Sequence, residues 1–129
     1  MILGRFGQAS SPTHAGAGIN YLHVRLKDKD RWQYTPPAGH TVAWLSVDRG
    51  SLYSPQPIGE GDLAVFEESE ASIELRAEGA TSFVIGSAIK HPHPLVLGNY
   101  SVHTSSAALA EGEAQIRGIG RRLRAEGRV

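Results

Sequence analysis

Three histidines and one tryptophan are the side chains best suited to chemistry in this sequence. His91 and His93 are separated by one residue in a His-Pro-His-Pro segment, and His40 follows Pro-Pro-Ala-Gly. Imidazole is a common metal ligand, but a lone imidazole cannot hold a divalent ion against water, so a site needs several converging donors. Trp44 lies in the strongest predicted strand, where we expect it to pack in the core; contact with an apolar ligand in the barrel lumen is the alternative. These four residues are the candidates for ligand contact or for a surface metal.

Other catalytic chemistry has less support. The chain contains no cysteine, which excludes disulfides, thiolate metal sites and a cysteine nucleophile. It has no Gly-x-Ser-x-Gly turn, and residues 59–62 hold too few glycines for a phosphate loop. The acidic run at 67–70 lacks the spacing and the turn glycine of a calcium loop. The residues therefore predict no catalytic group, no metal site and no cofactor.

Length and charge narrow the class of protein. The 129 residues fit one domain, and 13 basic and 13 acidic side chains cancel to a formal charge of zero. Such a chain has no long-range field to attract nucleic acid or an anionic membrane, so neither partner is predicted. No stretch approaches the roughly 18 apolar residues of a membrane span, and no signal peptide is visible. With the lack of cysteine, these features favour the cytoplasm.

Short strands separated by turns dominate the middle of the chain. Residues 19–26 alternate, with Asn20, Leu22 and Val24 on the drier face. Further strands are predicted at 31–34, 41–47, 51–53, 63–66, 72–77 and 81–89, with hairpin turns at 48–51 and 78–80. Trp44 lies on the opposite face of its strand from Ala43, and either face could line the interior. Strands spaced by about 8–12 residues predict a sandwich or a barrel.

The two ends differ from this centre. Residues 7–18 are rich in Gly, Ala, Ser and Pro, so residues 1–18 are predicted to form an arm or linker, whereas 19–89 are predicted to form the barrel. In the segment 90–129, prolines force an extended connector, 95–104 is predicted to be irregular, and a helix is predicted from about 107 to 125, capped by Ser105 or Ser106. Its narrow apolar stripe predicts packing on the outside of the barrel, within one domain overall.

Several segments resemble the second cupin domain of the pirin family. They are residues 19–26, 36–40, 47–50, 57–66, 83–87 and 98–104, the last followed by a helix. The resemblance implies a mostly-β cupin barrel, that is, a double-stranded β-helix or jelly roll, with a C-terminal α-helix. In pirins this half normally follows a first cupin half.

The resemblance also says where a metal would lie. Pirin iron is held by three histidines and a glutamate in the first half, which has no counterpart in these residues. The general cupin motif places its glutamate on or near Ala43, two histidines within 36–39, and the third histidine near Ser72; only His40 is close to a ligand position. For His91 and His93, residues 97 and 98 replace the expected carboxylate. We interpret 91–94 as a rigid connector, with a surface metal site as the alternative.

These features predict a pirin-like cupin module without its own metal site, acting structurally or by binding a partner or ligand. The chain alone is not expected to be an enzyme. One alternative is half of a metal-dependent, quercetin-type flavonol dioxygenase whose metal-bearing half is missing here. Another is a small-molecule binder that uses the barrel lumen. Because a separated cupin half exposes sheet surface, we predict a homodimer with an isologous interface, or pairing with a second cupin domain.

Overall fold

The computed structural model of the chain describes residues 1–14, 16 and 18–128. Contacts divide the chain into two compact units, Met1–Lys90 and His91–Val129. The described elements are β1 (Arg5–Phe6), β2 (Ala9–Ser10), β3 (Ile19–Leu26), β4 (Arg31–Tyr34), β5 (Val42–Tyr53), β6 (Pro57–Ile58), β7 (Leu63–Val65), β8 (Ile73–Ala88), β9 (Val96–Gly98), β10 (Ser101–His103) and α1 (Ser106–Ala125). The described part of the chain contains no helix long and apolar enough to cross a membrane.

An antiparallel sheet of six strands organises the first unit. Its order is β3-β8-β5-β6, with β4 also paired to β8 and β7 to β5. The register aligns Leu22 of β3 with Ile85 of β8 and Leu45 of β5. Because side chains alternate across a strand, these three residues share one face, and all three are buried. That face forms the core.

Two long, bent strands replace four predicted short ones. The predicted hairpin turns at 48–51 and 78–80 are wrong, since these residues lie inside β5 and β8. Gly50 and Gly79 have positive φ angles of 81° and 82°, and the β5–β8 register shifts on both sides of Arg49. A glycine of this conformation fits a β-bulge as well as a turn, and a bulge bends a strand without reversing it. Both halves of each strand therefore contribute to one core.

Large side chains fill this core. Tyr34, Leu45, Phe83 and Ile85 are fully buried, and the rings of Trp32 and Phe83 form a T-shaped pair with centroids 5.9 Å apart. Each such side chain contributes about 1.5–3 kcal/mol through the area removed from water. The remaining buried hydrophobic residues are Leu22, Ala43, Val47, Leu52, Ile58, Ile73, Leu75 and Ala77.

Part of the predicted arm is attached to the sheet. Strands β1 and β2 form a small antiparallel hairpin, and Leu3 makes a bridge to Tyr21 of β3. The ring of Phe6 stacks on Tyr34 at 6.1 Å. Residues 1–10 therefore contribute contacts to the first unit, while Ala15 and Ala17, which belong to the same predicted arm, lie outside the described residues.

The second unit consists of a hairpin and a helix. Strands β9 and β10 pair where the sequence predicted irregular chain, and Tyr100 takes a positive φ of 60° in the connecting turn. The predicted helix is confirmed: Ser105 caps it by accepting a hydrogen bond from Ala108 N at 3.1 Å. None of the residues that the structure describes in this unit is buried. The packing of the helix on the barrel stays a prediction.

Candidate functional site

A cavity of about 490 Å³ opens beside the core of the first unit. We call it the Phe66 cavity. Its lining consists of Ala43, Tyr53, Ser54, Pro55, Phe66, Glu67, Ser69, Ala71, Ser72, Ile73 and Glu74. The volume lies within the range of small-molecule sites in proteins.

Backbone hydrogen bonds fix the loop that closes this cavity. Phe66 N donates to Ala43 O at 3.1 Å, and Ser69 N donates to Thr41 O at 2.9 Å. The loop after β7 therefore follows the start of β5, and the Phe66 side chain is held near the core. Farther along the chain, the Ser72 hydroxyl hydrogen-bonds the Thr35 hydroxyl at 2.9 Å.

The chemistry of the cavity is apolar at the base and acidic at the rim. Ala43 and Ile73 belong to the buried core, and Phe66 packs against it. Glu67 and Glu74 are exposed lining residues whose carboxylates can accept hydrogen bonds. The arrangement suits a molecule with an apolar body and hydroxyl or amine donors at its edge.

Two residues that the resemblance places at cupin metal-ligand positions line this cavity. Ala43 falls at or near the glutamate position and Ser72 near that of the third histidine, and both line the Phe66 cavity, whereas Gly39 does not. At the positions that the resemblance assigns to a carboxylate and an imidazole ligand, this chain has a methyl group and a hydroxyl. Among the described residues, no three His, Cys, Asp or Glu side chains are close enough to hold a metal.

His40 lies in the interior of the first unit, at the end of a tight turn. His40 N donates to Pro37 O at 3.0 Å, and Gly39 supplies the positive φ of 83° that the turn requires. The ring is only 5 % exposed, and its Nδ1 atom lies 2.8 Å from Ser87 Oγ. Burial lowers the pKa of His40 below its usual value, and a hydrogen bond with the Ser87 backbone opposes this shift only in part.

The polar contact of His40 continues into a buried network. Ser87 Oγ lies 2.8 Å from the Tyr34 hydroxyl, which accepts a hydrogen bond from Asn20 Nδ2 at 3.3 Å. The same Asn20 amide donates to Arg5 O at 2.7 Å and accepts from Arg5 N at 2.9 Å. The network thus joins the 37–40 turn, three strands of the sheet and the N-terminal hairpin. Because each of these side chains bonds to another part of the fold, we interpret the network as structural and not as a reaction centre.

Trp44 lies on the side of β5 opposite to the core. Ala43 and Leu45 face the core, and Trp44 points away from it over Gly86 of β8. Its ring lies 5.4 Å from that of Tyr21. Trp44 is not among the residues that line the Phe66 cavity. Its contacts describe packing between neighbouring strands on the outer face.

His91 and His93 both lie at the start of the second unit and are exposed. Their ring centroids are 5.0 Å apart at an interplanar angle of 64°, and His91 Nδ1 lies 3.4 Å from His93 O. No third metal-binding side chain completes the pair within the described chain. The structure thus separates the four candidates into a buried residue, a packed outer-face residue and an exposed pair.

The sequence did not predict most residues of the Phe66 cavity or of the buried network around His40. Asn20 was placed on the dry face of its strand, and a polar residue among apolar neighbours is a signal of a buried network that could have been followed. Tyr34 and Ser87 carry no such local signal. Phe66 and Tyr53 are 13 positions apart in the sequence, and no local pattern predicts that they line one cavity.

Comparison with known proteins supports the architecture. No family model matches the chain, and no curated protein matches it by sequence. Among solved structures, the chain is similar to quercetin 2,3-dioxygenase from Acinetobacter baumannii, with a TM-score of 0.78 at 17 % sequence identity. The alignment covers 90 % of this chain and 41 % of that one, so this chain spans less than half the length of its structural neighbour. Together with its bent antiparallel strands and terminal helix, this similarity shows that the chain has a mostly-β cupin fold.

Proposed function

We propose that this chain is a non-catalytic cupin module that binds a small, largely apolar molecule in the Phe66 cavity. The observation that carries the proposal is the position of Ala43 and Ser72. Both stand at or near metal-ligand positions of the cupin motif, and both line one cavity of about 490 Å³. A cavity of this volume can hold a small molecule, and neither of these two side chains is a ligand that holds a metal ion.

The lining suggests the class of ligand. Phe66 and Ile73 supply an apolar surface for a ring, and Tyr53 adds a second aromatic group. Glu67 and Glu74 disfavour an anion and accept hydrogen bonds from hydroxyl groups. A neutral, hydroxylated aromatic compound satisfies both conditions. Quercetin, named as the substrate of the structural neighbour, belongs to this class and is the first compound to test.

Calorimetric titration of the full chain with quercetin and simpler phenols tests the proposal. We expect binding of one ligand per chain, weakened at least about tenfold by Phe66→Ala, since truncation removes one face of the site. Val65→Ala is the matched control, because Val65 is the preceding residue, is 75 % exposed and is not part of the cavity lining. Absence of binding across the panel by folded protein, or equal affinities for the two variants, would overturn the proposal.

A second candidate is half of a quercetin-type dioxygenase. It is supported by the alignment of 90 % of this chain to 41 % of a dioxygenase chain. In this reading another cupin domain supplies the metal, and the present chain completes the assembly. Metal analysis and oxygen-consumption assays distinguish the candidates. The binding module takes up quercetin without stoichiometric iron or turnover, whereas turnover only after addition of a metal-bearing cupin chain would favour the half-enzyme.

A further inference from the structure

The apolar side chains of the second unit have no core of their own. Ile116 is 63 % exposed, Ile119 is 46 % exposed, and Val102 of the neighbouring hairpin is 62 % exposed. Helix α1 also contains glycines at 112, 118 and 120, each costing about 1 kcal/mol relative to alanine. A helix of 20 residues with this composition is marginal by itself. It therefore requires a surface that covers its apolar side.

The hairpin β9–β10 covers only the first part of that side. A Cβ atom on Gly98 would lie 2.6 Å from Leu109 Cδ1, and one on Gly112 would lie 2.9 Å from His103 Cε1. Leu109 and Gly112 therefore face the hairpin. The apolar line continues beyond it through Ile116, Ile119 and Leu123, which we call the helix stripe. Spacings of three and four residues place these side chains on one face, as in the contact line of a helical pair.

Charge is sorted along the same helix. Glu111 and Glu113 lie in its N-terminal half, and Arg121, Arg122 and Arg124 lie in its C-terminal half. Between them, Arg117 pairs with Glu113 of the same helix at 3.5 Å. A parallel neighbour of the same sequence would set acidic beside acidic and basic beside basic groups. An antiparallel neighbour sets each acidic half beside a basic half. The helix is therefore complementary to itself in one orientation only.

The spacing of the stripe fixes a register for that orientation. In antiparallel packing, Ile116 of one helix meets Ile119 of the other, and the same contact recurs by symmetry. This register brings Glu113 of one copy within about one turn of Arg124 of the second copy, on the same side of the interface. Glu111 and Arg122 are related in the same way on the other side. Apolar spacing and charge thus select the same register.

We propose that the helix stripe docks against the same stripe of a second copy of this chain, forming an antiparallel, isologous helix pair in place of the packing on the barrel that the sequence predicts. The interface is separate from the Phe66 cavity and goes beyond the proposed binding function. It also provides the apolar surface that the glycine-containing helix needs.

Sedimentation equilibrium of the full chain tests the proposal. We expect a concentration-dependent dimer whose dissociation constant rises at least about 100-fold in Ile116→Glu, because each dimer loses two buried isoleucines. Ala114→Glu introduces the same charge at an exposed position of α1 outside the stripe and should leave the constant unchanged. Circular dichroism confirms that both variants keep their helix.

Charge reversal provides a second test that does not depend on the isoleucine. Glu113→Arg and Arg124→Glu should each weaken association several-fold, and the double variant should recover most of the loss. A wild-type chain that stays monomeric at about 1 mM would overturn the proposal. A dimer that Ile116→Glu leaves intact would also overturn it. Charge reversals that add without recovery would contradict the antiparallel register.

Discussion

The Nδ1 atom of His40 lies 2.8 Å from the Oγ atom of Ser87, in a region where the two residues are only 5 % and 3 % exposed. The contact joins the turn before β5 to the end of β8. Ser87 is also paired in register with Ala43, which lines the Phe66 cavity. The buried polar network therefore supports one side of the candidate ligand site.

His40 should make the stability of the protein depend on pH. Its pKa is lowered in the folded state by burial, whereas the unfolded chain has the ordinary value of about 6.5. The unfolded state therefore binds more protons below that value, and the free energy of unfolding should fall as the pH drops through about 6.5. Urea unfolding at pH 7.5 and pH 5.5 measures the loss, and His40→Asn should reduce it. An identical pH dependence in wild type and variant would refute this role.

The Tyr34 hydroxyl should contribute measurably to stability. Tyr34→Phe removes the group that links Ser87 to Asn20 and leaves both of them in a buried setting, so we expect a loss of about 1–2 kcal/mol in urea unfolding. Tyr53→Phe is the matched control, since Tyr53 is 44 % exposed. The control should change the free energy of unfolding by less than about 0.5 kcal/mol. Similar losses in both variants would show that the buried Tyr34 hydroxyl adds no more to the free energy of unfolding than an exposed one.

The Asn20 amide should be needed as both donor and acceptor. It accepts from Arg5 N and donates to Arg5 O, and the residue is 4 % exposed. Asn20→Asp replaces the donor with a buried carboxylate facing a carbonyl oxygen, so we expect a loss of about 2–4 kcal/mol at pH 7. Asn99→Asp makes the same change at an exposed position and should be nearly neutral. Thermal unfolding of the two variants, measured side by side, compares their losses of stability, and equal losses would contradict this role of Asn20.

Local patterns in the sequence predicted the faces of strands better than their lengths. Alternation placed Asn20 beside Leu22 on the dry face, and both are buried. The hydrogen-bond partners of the network are separated from one another by 14 to 53 residues along the chain. No local pattern encodes such pairings, because they follow from the register of β3, β4, β5 and β8.

In the candidate site too, the sequence predicted some residues, and others depend on contacts between distant segments. Motif spacing singled out Ala43 and Ser72, and the structure places both on the Phe66 cavity. Motif spacing did not identify Phe66, because the position of that ring depends on hydrogen bonds between its loop and the start of β5. The bends of β5 and β8 were also missed, since a glycine with positive φ is compatible with a hairpin and with a bulge.

Gly50 and Gly79 provide a test of those bends. Their φ angles are 81° and 82°, so alanine at either position pays the cost of the left-handed region, about 1–2 kcal/mol. Their surroundings differ. A Cβ atom on Gly50 would lie 2.7 Å from Ala80 O, whereas a Cβ atom on Gly79 would meet nothing within 4 Å.

Gly50→Ala should therefore destabilise the protein by about 1–3 kcal/mol more than Gly79→Ala, because the Ala80 carbonyl belongs to the neighbouring strand and cannot move without disturbing its pairing. Urea unfolding of both variants measures the difference, and the shared conformational cost cancels in the comparison. Equal losses would mean that β5 does not approach the bulge of β8 closely, and the bend of the sheet around its core would then need another cause. A larger loss in Gly50→Ala would show that the sheet bends where the two bulged strands approach each other closely.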